Sequence, residues 1–297
     1  MMKKECNVIF MFLGMAAMVI LVSCTMGNNN VERGFIFTAI LEDSGNKSSD
    51  GPYGEIKWTA GDAFKVAQCD GEGNTYHFNL MTGSGKNRAF FYTSNFKPEH
   101  NHTAAYPYDA ATIMGRTVVF DIPNRKDIGS NVGVIPNKTN PMVAVTTGNN
   151  FHFKSIFGGV GIPLFGNDNN IHVSDICLTS LDTCEALWGT CTAIISGEDE
   201  DATITSTTTN EAIERNTVTL ACDVDLSLSS EAPTWFYVML PPGTLASGFK
   251  LEVLDGSEVL VEKETTSPVA VVERKKVKYF NPIMIEDTFD DTLPSVP

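Results

Sequence analysis

The sequence predicts an all-β fold of two tandem β-sandwich domains behind a cleaved signal peptide. Short runs rich in β-branched and aromatic residues recur along the chain, such as "GFIFTAIL" at Gly34–Leu41 and "WFYVML" at 235–240. Gly, Asn, Asp, Pro or Ser follows each run, and strands at roughly ten-residue spacing with such turns are typical of β-sandwiches. There are more than a dozen runs, too many for the about seven to nine strands of one sandwich.

The predicted seam between the two domains is the polar stretch "TTGNN" at 146–150. It gives an N-terminal sandwich at 34–150, a C-terminal sandwich at 151–290 and a tail at 291–297. The acidic "GEDEDA" at 197–202 lies between strand-like runs and is expected to cap a hairpin. The following "TITSTTT" at 203–209 is a strand or a polar loop, because its composition fits both.

The N-terminus has the pattern of an export signal. Lys3 and Lys4 precede an apolar run at 8–22, which is shorter than the roughly 20 residues that a membrane-spanning helix needs. The run ends in "LVSC", and these four residues resemble the bacterial lipobox, in which the cysteine is acylated before cleavage. We therefore expect residues 1–23 to be a signal peptide, Cys24 to carry lipid and 24–33 to be a tether. The alternative is a signal anchor with an incidental cysteine.

The charge of the chain limits its partners. Without residues 1–23 the chain has 274 residues and a formal net charge of −16. So acidic a protein is not expected to bind nucleic acid, where lysines and arginines must neutralise phosphates. It is also repelled by anionic lipid, so the acyl chains on Cys24 must hold it at the outer membrane.

Five cysteines remain after Cys24, and an odd number leaves at least one thiol free. They are Cys69, Cys177, Cys184, Cys191 and Cys222. The surroundings of the middle three predict strands and a turn, and most of the five are expected to be small buried residues. A zinc site is disfavoured because the chain has no C-x-x-C pair.

No catalytic, cofactor-binding or metal-binding residue is predicted, and the chain is not expected to be an enzyme. His100 and His102 form a His-x-His pair in "PEHNH", where a Pro- and Asn-rich loop is expected to leave them solvated. The "TGSGKN" stretch at 82–87 lacks the first glycine and the final Ser or Thr of a phosphate-binding loop, so it is expected to be a hairpin turn. Nucleophile elbows, H-E-x-x-H helices and calcium-binding loops are absent from the sequence.

Seven segments, taken in order, resemble the fimbrillin-like family, the type V pilus subunits and related surface lipoproteins of Bacteroides-type bacteria. They are "FIFTAILED" at 35–43, "IKWTAGDAFKV" at 56–66, "AAYPYD" at 104–109, "PMVA" at 141–144, "FHFKSIFGGVGIPL" at 151–164, "WFYVMLPPGTLASGFKLEVLDG" at 235–256 and "VVERKKVKYF" at 271–280. The residues themselves suit a scaffold. In "WTAGD" the glycine permits a tight turn, the aspartate can accept backbone N–H bonds, and Trp58 can anchor a core.

The resemblance implies two transthyretin-like β-sandwiches and a role at the cell surface. Polymerising members of the family lose an N-terminal strand by cleavage after an arginine and accept a strand from the next subunit, which is β-strand addition. Arg33 is the arginine in the corresponding region. Only the polar residues 25–32 separate it from Cys24, and they lack the apolar alternation of a strand that fills a groove. The expected role is therefore an anchor, accessory or tip protein and not a shaft subunit.

Two functions are open from the sequence. The first is a lipid-anchored structural or adhesion protein whose partners are outer-membrane lipid through Cys24, other fimbrial subunits, and host or microbial surface ligands. The second is a glycan-binding lipoprotein of a polysaccharide uptake system, in which Tyr106, Tyr108 and Trp188 would be the binding aromatics.

Overall fold

The computed structural model describes residues 7–9, 21–23, 34–42, 56–69, 74–94, 96, 101–135, 137–167, 171–208, 215–266 and 272–286. The strands are β1 (Asn7–Ile9), β2 (Leu21–Ser23), β3 (Gly34–Leu41), β4 (Ala63–Gln68), β5 (Thr75–Thr82), β6 (Arg88–Ser94), β7 (His102–Tyr106), β8 (Ala111–Met114), β9 (Thr117–Ile122), β10 (Arg125–Gly129), β11 (Met142–Thr146), β12 (Asn150–Ser155), β13 (Gly158–Gly166), β14 (His172–Ser180), β15 (Gly189–Ser196), β16 (Thr203–Thr208), β17 (Thr217–Asp225), β18 (Thr234–Leu240), β19 (Phe249–Asp255), β20 (Glu258–Thr265), β21 (Val277–Tyr279) and β22 (Ile283–Ile285). Three short 3-10 helices are described, at Tyr108–Ala110, Asn137–Thr139 and Asp199–Asp201. The predicted all-β fold class is confirmed.

Seven strands form a closed barrel in the order β11-β12-β3-β6-β5-β4-β7. Its sequences alternate as half-buried strands do: in β6, Ala89 and Phe91 point inward while Phe90 and Tyr92 point outward. The interior is filled by aromatic rings. The largest buried ones are Trp58, Phe64, Phe78, Phe91, Phe151 and Phe153.

The remaining strands, apart from β1 and β2, form three stacked sheets that we call the front, middle and back sheets. The front sheet has the order β10-β17-β14-β19-β20, and the back sheet has the order β16-β15-β9-β8. Between them, the middle sheet consists of β18, β13 and, on the far side of β13, β21 and β22. Val160 and Val238 of the middle sheet pack toward the front sheet, and Tyr237 and Met239 pack toward the back sheet.

The middle sheet is buried on both faces, and glycines of "GGVGIPL" let its neighbours approach closely. A Cβ on Gly158 would lie 2.0 Å from the Glu273 carbonyl oxygen, and one on Gly161 would lie 2.9 Å from the Tyr279 ring. Any larger residue would push β21 away from β13. The family-like segment therefore has a packing reason for its small residues.

The strand pairing does not follow chain order. Strands β8, β9 and β10 leave the barrel after β7 and join the back and front sheets, and β11 and β12 then return to the barrel. The predicted seam at 146–150 forms the tight connection between β11 and β12, which pair with each other. The division into domains at residue 150 stays a prediction.

Local predictions agree with the structure in several places. The 203–208 stretch is strand β16, paired with β15, and the acidic stretch forms the 3-10 turn between them. The "TGSGKN" stretch connects β5 to β6. Across the described ranges, no helix is long and apolar enough to cross a membrane.

Candidate functional site

The start of β3 is the point where the predicted tether joins the fold. Strand β3 pairs with β6 on one side and with β12 on the other, so it is an interior strand of the barrel. Before it, β1 and β2 pair with each other and with no other described strand. Cys24, Arg33 and the 291–297 tail lie outside the described residues. Lipidation of Cys24 and cleavage after Arg33 therefore stay predictions.

The "WTAGD" turn builds the polar centre of the barrel core. Asp62 accepts a 2.6 Å hydrogen bond from the Thr59 N–H and a 2.8 Å bond from the Tyr106 hydroxyl. Trp58 is fully buried and meets the Tyr106 ring edge-on at 5.5 Å between centroids. Burial and the adjacent Asp62 carboxylate raise the pKa of Tyr106 well above its usual value, so the hydroxyl stays a donor. The predicted roles of Trp58 and of this turn are confirmed.

The aromatics that the glycan-binding alternative needs are not free to bind a sugar. Tyr106 is 1% exposed, so its proposed exposure is wrong. Tyr108 is half-buried and stacks on the His77 ring, with 3.9 Å between the ring centroids. The Lys65 ammonium lies over the Tyr108 ring, 5.0 Å from its centroid. Trp188 packs against the hydrophobic cores, and the Arg215 guanidinium lies 5.3 Å from its ring centroid.

A carboxylate at the end of β3 connects the barrel to the stacked sheets. Glu42 accepts hydrogen bonds from Arg274 at 3.0 and 3.4 Å, and the Lys275 ammonium lies 3.5 Å from the same carboxylate. Arg274 also donates to the Ser155 carbonyl at 2.7 Å, and the Lys275 N–H donates to the Phe157 carbonyl at 2.8 Å. The basic turn of the "VVERKKVKYF" segment thus binds both the C-terminal end of β3 and the connection between β12 and β13.

The acidic turn at 199–201 makes a second connection between the two parts. The Asp199 carboxylate accepts bonds from the Thr147 N–H and hydroxyl, both at 3.2 Å. Lys154 of β12 donates to the carbonyls of Glu200 and Ala202. The Asp199 carboxylate and the backbone of this turn are therefore bonded by barrel residues. Within the described ranges, no group of three or more His, Cys, Asp or Glu side chains could hold a metal ion.

Lys126 is a buried basic side chain that the sequence did not reveal. It lies 4% exposed on β10 and donates to the Met239 carbonyl at 2.5 Å, with its ammonium 5.7 Å from the Phe157 ring centroid. Desolvation by burial lowers the pKa of Lys126 to about 7. The amine satisfies a carbonyl on the edge of β18 that faces away from β13, so its role there is that of a structural donor.

The cysteines and histidines differ in their environments. The five described cysteines are free thiols, with Cys191 and Cys222 buried and Cys184 exposed. Burial raises the pKa of Cys222 to about 12, so this thiol is a poor nucleophile. His102 lies 1% exposed on β7, so the expectation that it is solvated is wrong. His100 lies outside the described residues.

Two long strands at sheet edges differ in their suitability for strand addition. Among the described strands, β20 pairs with β19 alone, and it is rich in Glu and Lys, which discourages pairing with a further strand. Strand β16 has β15 as its one described partner and consists of Thr, Ser and Ile without any charge. Of these two edges, β16 is the better acceptor for another strand.

Comparisons with known proteins give structural neighbours only. No known family profile matches the sequence, and no curated protein matches it. A candidate cell adhesion protein from Bacteroides ovatus is similar at 15% identity and a TM-score of 0.49, covering 84% of this chain and 91% of that one. A second, from Bacteroides uniformis, has 14% identity and a TM-score of 0.43 over 85% and 92% of the two chains. A fimbrial protein from Bacteroides ovatus has 13% identity and a TM-score of 0.38, and this chain spans about half its length, 51%.

Proposed function

We propose that the chain is a lipid-anchored protein of the bacterial cell surface that acts in adhesion or as an anchor, accessory or tip subunit of a fimbria. The observation that carries the proposal is the ordered set of seven fimbrillin-like segments behind the lipobox-type "LVSC". The described parts of these segments lie in strands and turns that build the cores, as expected of a scaffold.

The geometry at β3 supports an anchor that is retained. Among the described residues before Gly34, none pairs with the barrel or the stacked sheets. Cleavage after Arg33 would thus remove no described strand from the barrel or the stacked sheets. A shaft subunit that polymerises by strand replacement at its N-terminus must lose a paired strand to open a groove. A subunit that keeps its lipid does not.

Contact with other subunits is proposed at the uncharged edge of β16. Backbone N–H and C=O groups on a free edge can accept a further strand, and β16 carries no charge to oppose it. A Thr205→Lys variant would place a charge on the exposed side of this edge. Loss of co-purifying fimbrial subunits in this variant, but not in Val259→Lys on β20, would support the assignment.

The glycan-binding alternative has less support. It depends on exposed aromatics, and Tyr106 is a core residue while Tyr108 and Trp188 are already packed against His77 and Arg215. No second function is proposed.

The anchor is tested at the N-terminus. Mass spectrometry of the protein purified from the cells that produce it should find an acylated Cys24 as the first residue. A Cys24→Ser variant should remain an unacylated, unprocessed precursor that does not reach the outer membrane. A mature chain that begins at Gly34 without lipid would instead indicate cleavage after Arg33 and would overturn the retained anchor.

The surface role is tested in a deletion strain. We expect the strain to lose adhesion or to change in the number, length or attachment of its fimbriae under the electron microscope. Reintroduction of the wild-type chain should restore the phenotype, and Cys24→Ser should not. Unchanged adhesion and unchanged fimbriae would contradict the proposal.

A further inference from the structure

The outer surface of the barrel carries a group of apolar side chains that we call the barrel patch: the exposed Met81, Phe90 and Tyr92 and the half-buried Ile36. Phe90 is 43% exposed, Tyr92 38% and Met81 48%. Tyr92 is paired with Ile36 on β3, and Phe90 is paired with Thr82 on β5, next to the bulge that holds Met81. The four residues thus belong to three adjacent strands, and the two rings project outward from alternate positions of β6.

This grouping sets the barrel patch apart from other exposed apolar residues. The other large exposed ones in the described ranges lie on different elements and none is aromatic, although Met114 of β8 and Ile194 of β15 are both in register with Thr117 of β9. These residues are Met114, Val134, Ile194, Leu228, Val259 and Met284. Single exposed apolar residues are ordinary, whereas a contiguous group with two aromatic rings marks an interaction surface.

The barrel is also distinguished by its charge. Its seven strands contain no Asp or Glu, and their charged residues are Lys65, Arg88 and Lys154. The strands of the stacked sheets carry the carboxylates of Asp121, Asp127, Asp175, Asp223, Asp225, Glu252, Asp255, Glu258, Glu262 and Glu264. The chain has a net charge of −15. An anionic lipid surface would therefore repel the barrel strands less than the strands of the stacked sheets.

The barrel patch adjoins the start of the described fold. Gly34 begins β3, and a Cβ on Gly34 would lie 2.3 Å from the Tyr92 ring, so this ring covers the first residue of the strand. Nine residues, 25–33, separate Gly34 from Cys24. The ten Cα–Cα steps from Cys24 to Gly34 span at most about 35 Å when fully extended. Lipid on Cys24 would therefore hold the barrel patch within that distance of the bilayer.

We propose that the barrel patch docks on the phospholipid bilayer to which Cys24 is attached, so that the barrel lies on the membrane and the acidic stacked sheets face away from it. Tyr92 suits the headgroup region because its ring is apolar and its hydroxyl is polar, and Phe90 and Met81 enter the acyl boundary. This inference rests on the lipid anchor of the proposed function. It adds a defined orientation on the membrane.

A fluorescent reporter in the barrel patch tests the docking. The full chain, acylated at Cys24 and carrying Phe90→Trp, is reconstituted into phosphatidylcholine vesicles with and without dibrominated phosphatidylcholine. We expect the emission of the introduced tryptophan, over that of the native tryptophans, to be blue-shifted and quenched by the brominated lipid. Met81→Trp is a second reporter with the same expected result, should Phe90→Trp fold poorly. The matched control is Met114→Trp on the back sheet, whose emission should not be quenched.

A second arm separates the docking from the acylation. The mature chain with an N-terminal hexahistidine tag in place of the acylated Cys24 is bound to phosphatidylcholine vesicles that contain a nickel-chelating lipid. Quenching of the Phe90→Trp emission in this arm supports the docking whether or not Cys24 is acylated in cells. An unmodified Cys24 in cells would then refute only the proposed lipid anchor. If neither the acylated nor the tagged protein is quenched while Cys24 is acylated, the docking is overturned and the anchor stands.

The same protein distinguishes other occupants of the barrel patch. A dimer in solution that the double variant Phe90→Ser/Tyr92→Ser abolishes, without lipid quenching of the reporter, would assign the patch to a second copy of the chain and overturn the proposal. Emission that is blue-shifted and unquenched in monomeric protein would show that the chain covers the patch itself, which also overturns it.

Discussion

Trp58, Asp62 and Tyr106 form the polar centre of an otherwise aromatic barrel core. The Asp62 carboxylate is 5% exposed and depends on donors from Thr59 and Tyr106. A buried carboxylate that loses a donor keeps its desolvation cost without compensation. The turn motif is therefore sensitive to the loss of a single hydroxyl.

Tyr106→Phe tests this dependence. Removing the hydroxyl leaves the ring in place against Trp58 and deprives Asp62 of a 2.8 Å bond. We expect the free energy of unfolding to fall by about 2 kcal/mol. Thermal or urea denaturation measures it, and the control Tyr108→Phe, which keeps the half-buried ring on His77, should change it by less than about 0.5 kcal/mol. Equal effects of the two variants would contradict this role of Asp62.

Lys126 makes stability depend on pH in the alkaline range. Burial lowers its pKa to about 7 from the usual 10.5. Between these values the unfolded chain holds the proton and the folded protein does not, so unfolding takes up a proton and the free energy of unfolding rises with pH. The penalty of the buried charge applies below about pH 7.

Lys126→Met removes this dependence. Comparing the two proteins by denaturation, we expect wild type to gain about 2 kcal/mol relative to Lys126→Met from pH 7 to pH 9. The chain of the methionine fills a similar volume, so the comparison isolates the amine. A difference that does not change with pH would mean that Lys126 is not held neutral.

At the scale of elements, His172 connects three strands of the front sheet. From the start of β14 it contacts Asp223 of β17 at 2.9 Å and Asp255 of β19 at 3.1 Å. Hydrogen bonds to Asp223 and then Asp255 raise the pKa of His172 above its usual 6.5. The charged imidazole therefore stabilises the sheet below about pH 6.5, and this stabilisation is lost as the pH rises through the raised pKa.

His172→Gln should lower the melting temperature at pH 6 and leave it nearly unchanged at pH 9. All three groups are partly exposed, so salt should screen the effect. Thermal melts at both pH values, each at low and high sodium chloride, measure it. A loss of stability that is the same at pH 6 and pH 9 would assign His172 a packing role instead.

Strands were predictable from the sequence where one face meets solvent. In "RAFFYTS" the alternation of buried and exposed residues matches the pleat. Strands buried on both faces carry no such alternation. Every residue of β7, "HTAAY", is buried. Because its sequence has no alternating pattern that would reveal this burial, His102 and Tyr106 were expected at the surface. Tyr106 and His102 lie against Trp58 and Phe96 of the barrel interior, while Ala105 on the other face packs against the back sheet, and a local pattern contains neither contact.

The connection between the barrel and the stacked sheets belongs to the scale of the whole molecule. Glu42 and Arg274 are 232 positions apart in the chain, so their pairing follows only from the complete fold. The ion pair is partly buried, with side-chain exposures of 17% and 30%.

A double-mutant cycle with Glu42→Gln and Arg274→Met measures this connection. We expect a coupling energy of about 1 kcal/mol and faster limited proteolysis in both single variants. Lys276→Met is the control, because its ion pair with Glu273 is exposed on both sides and should contribute little. A coupling energy near zero would mean that this ion pair does not contribute to holding the two parts together.

The order of the strands also determines which fragments can fold. A fragment of residues 34–150 has the bounds of the predicted N-terminal domain, yet it lacks most of β12, the partner of both β3 and β11. It also retains β9 and β10 without their partners β15 and β17. Unpaired edges and exposed apolar faces favour aggregation. We expect the fragment to be insoluble or unfolded by circular dichroism, while the chain from Gly34 to Glu286 unfolds cooperatively. A soluble fragment with a cooperative thermal transition would show that the barrel closes without β12 and that residue 150 is a true domain boundary.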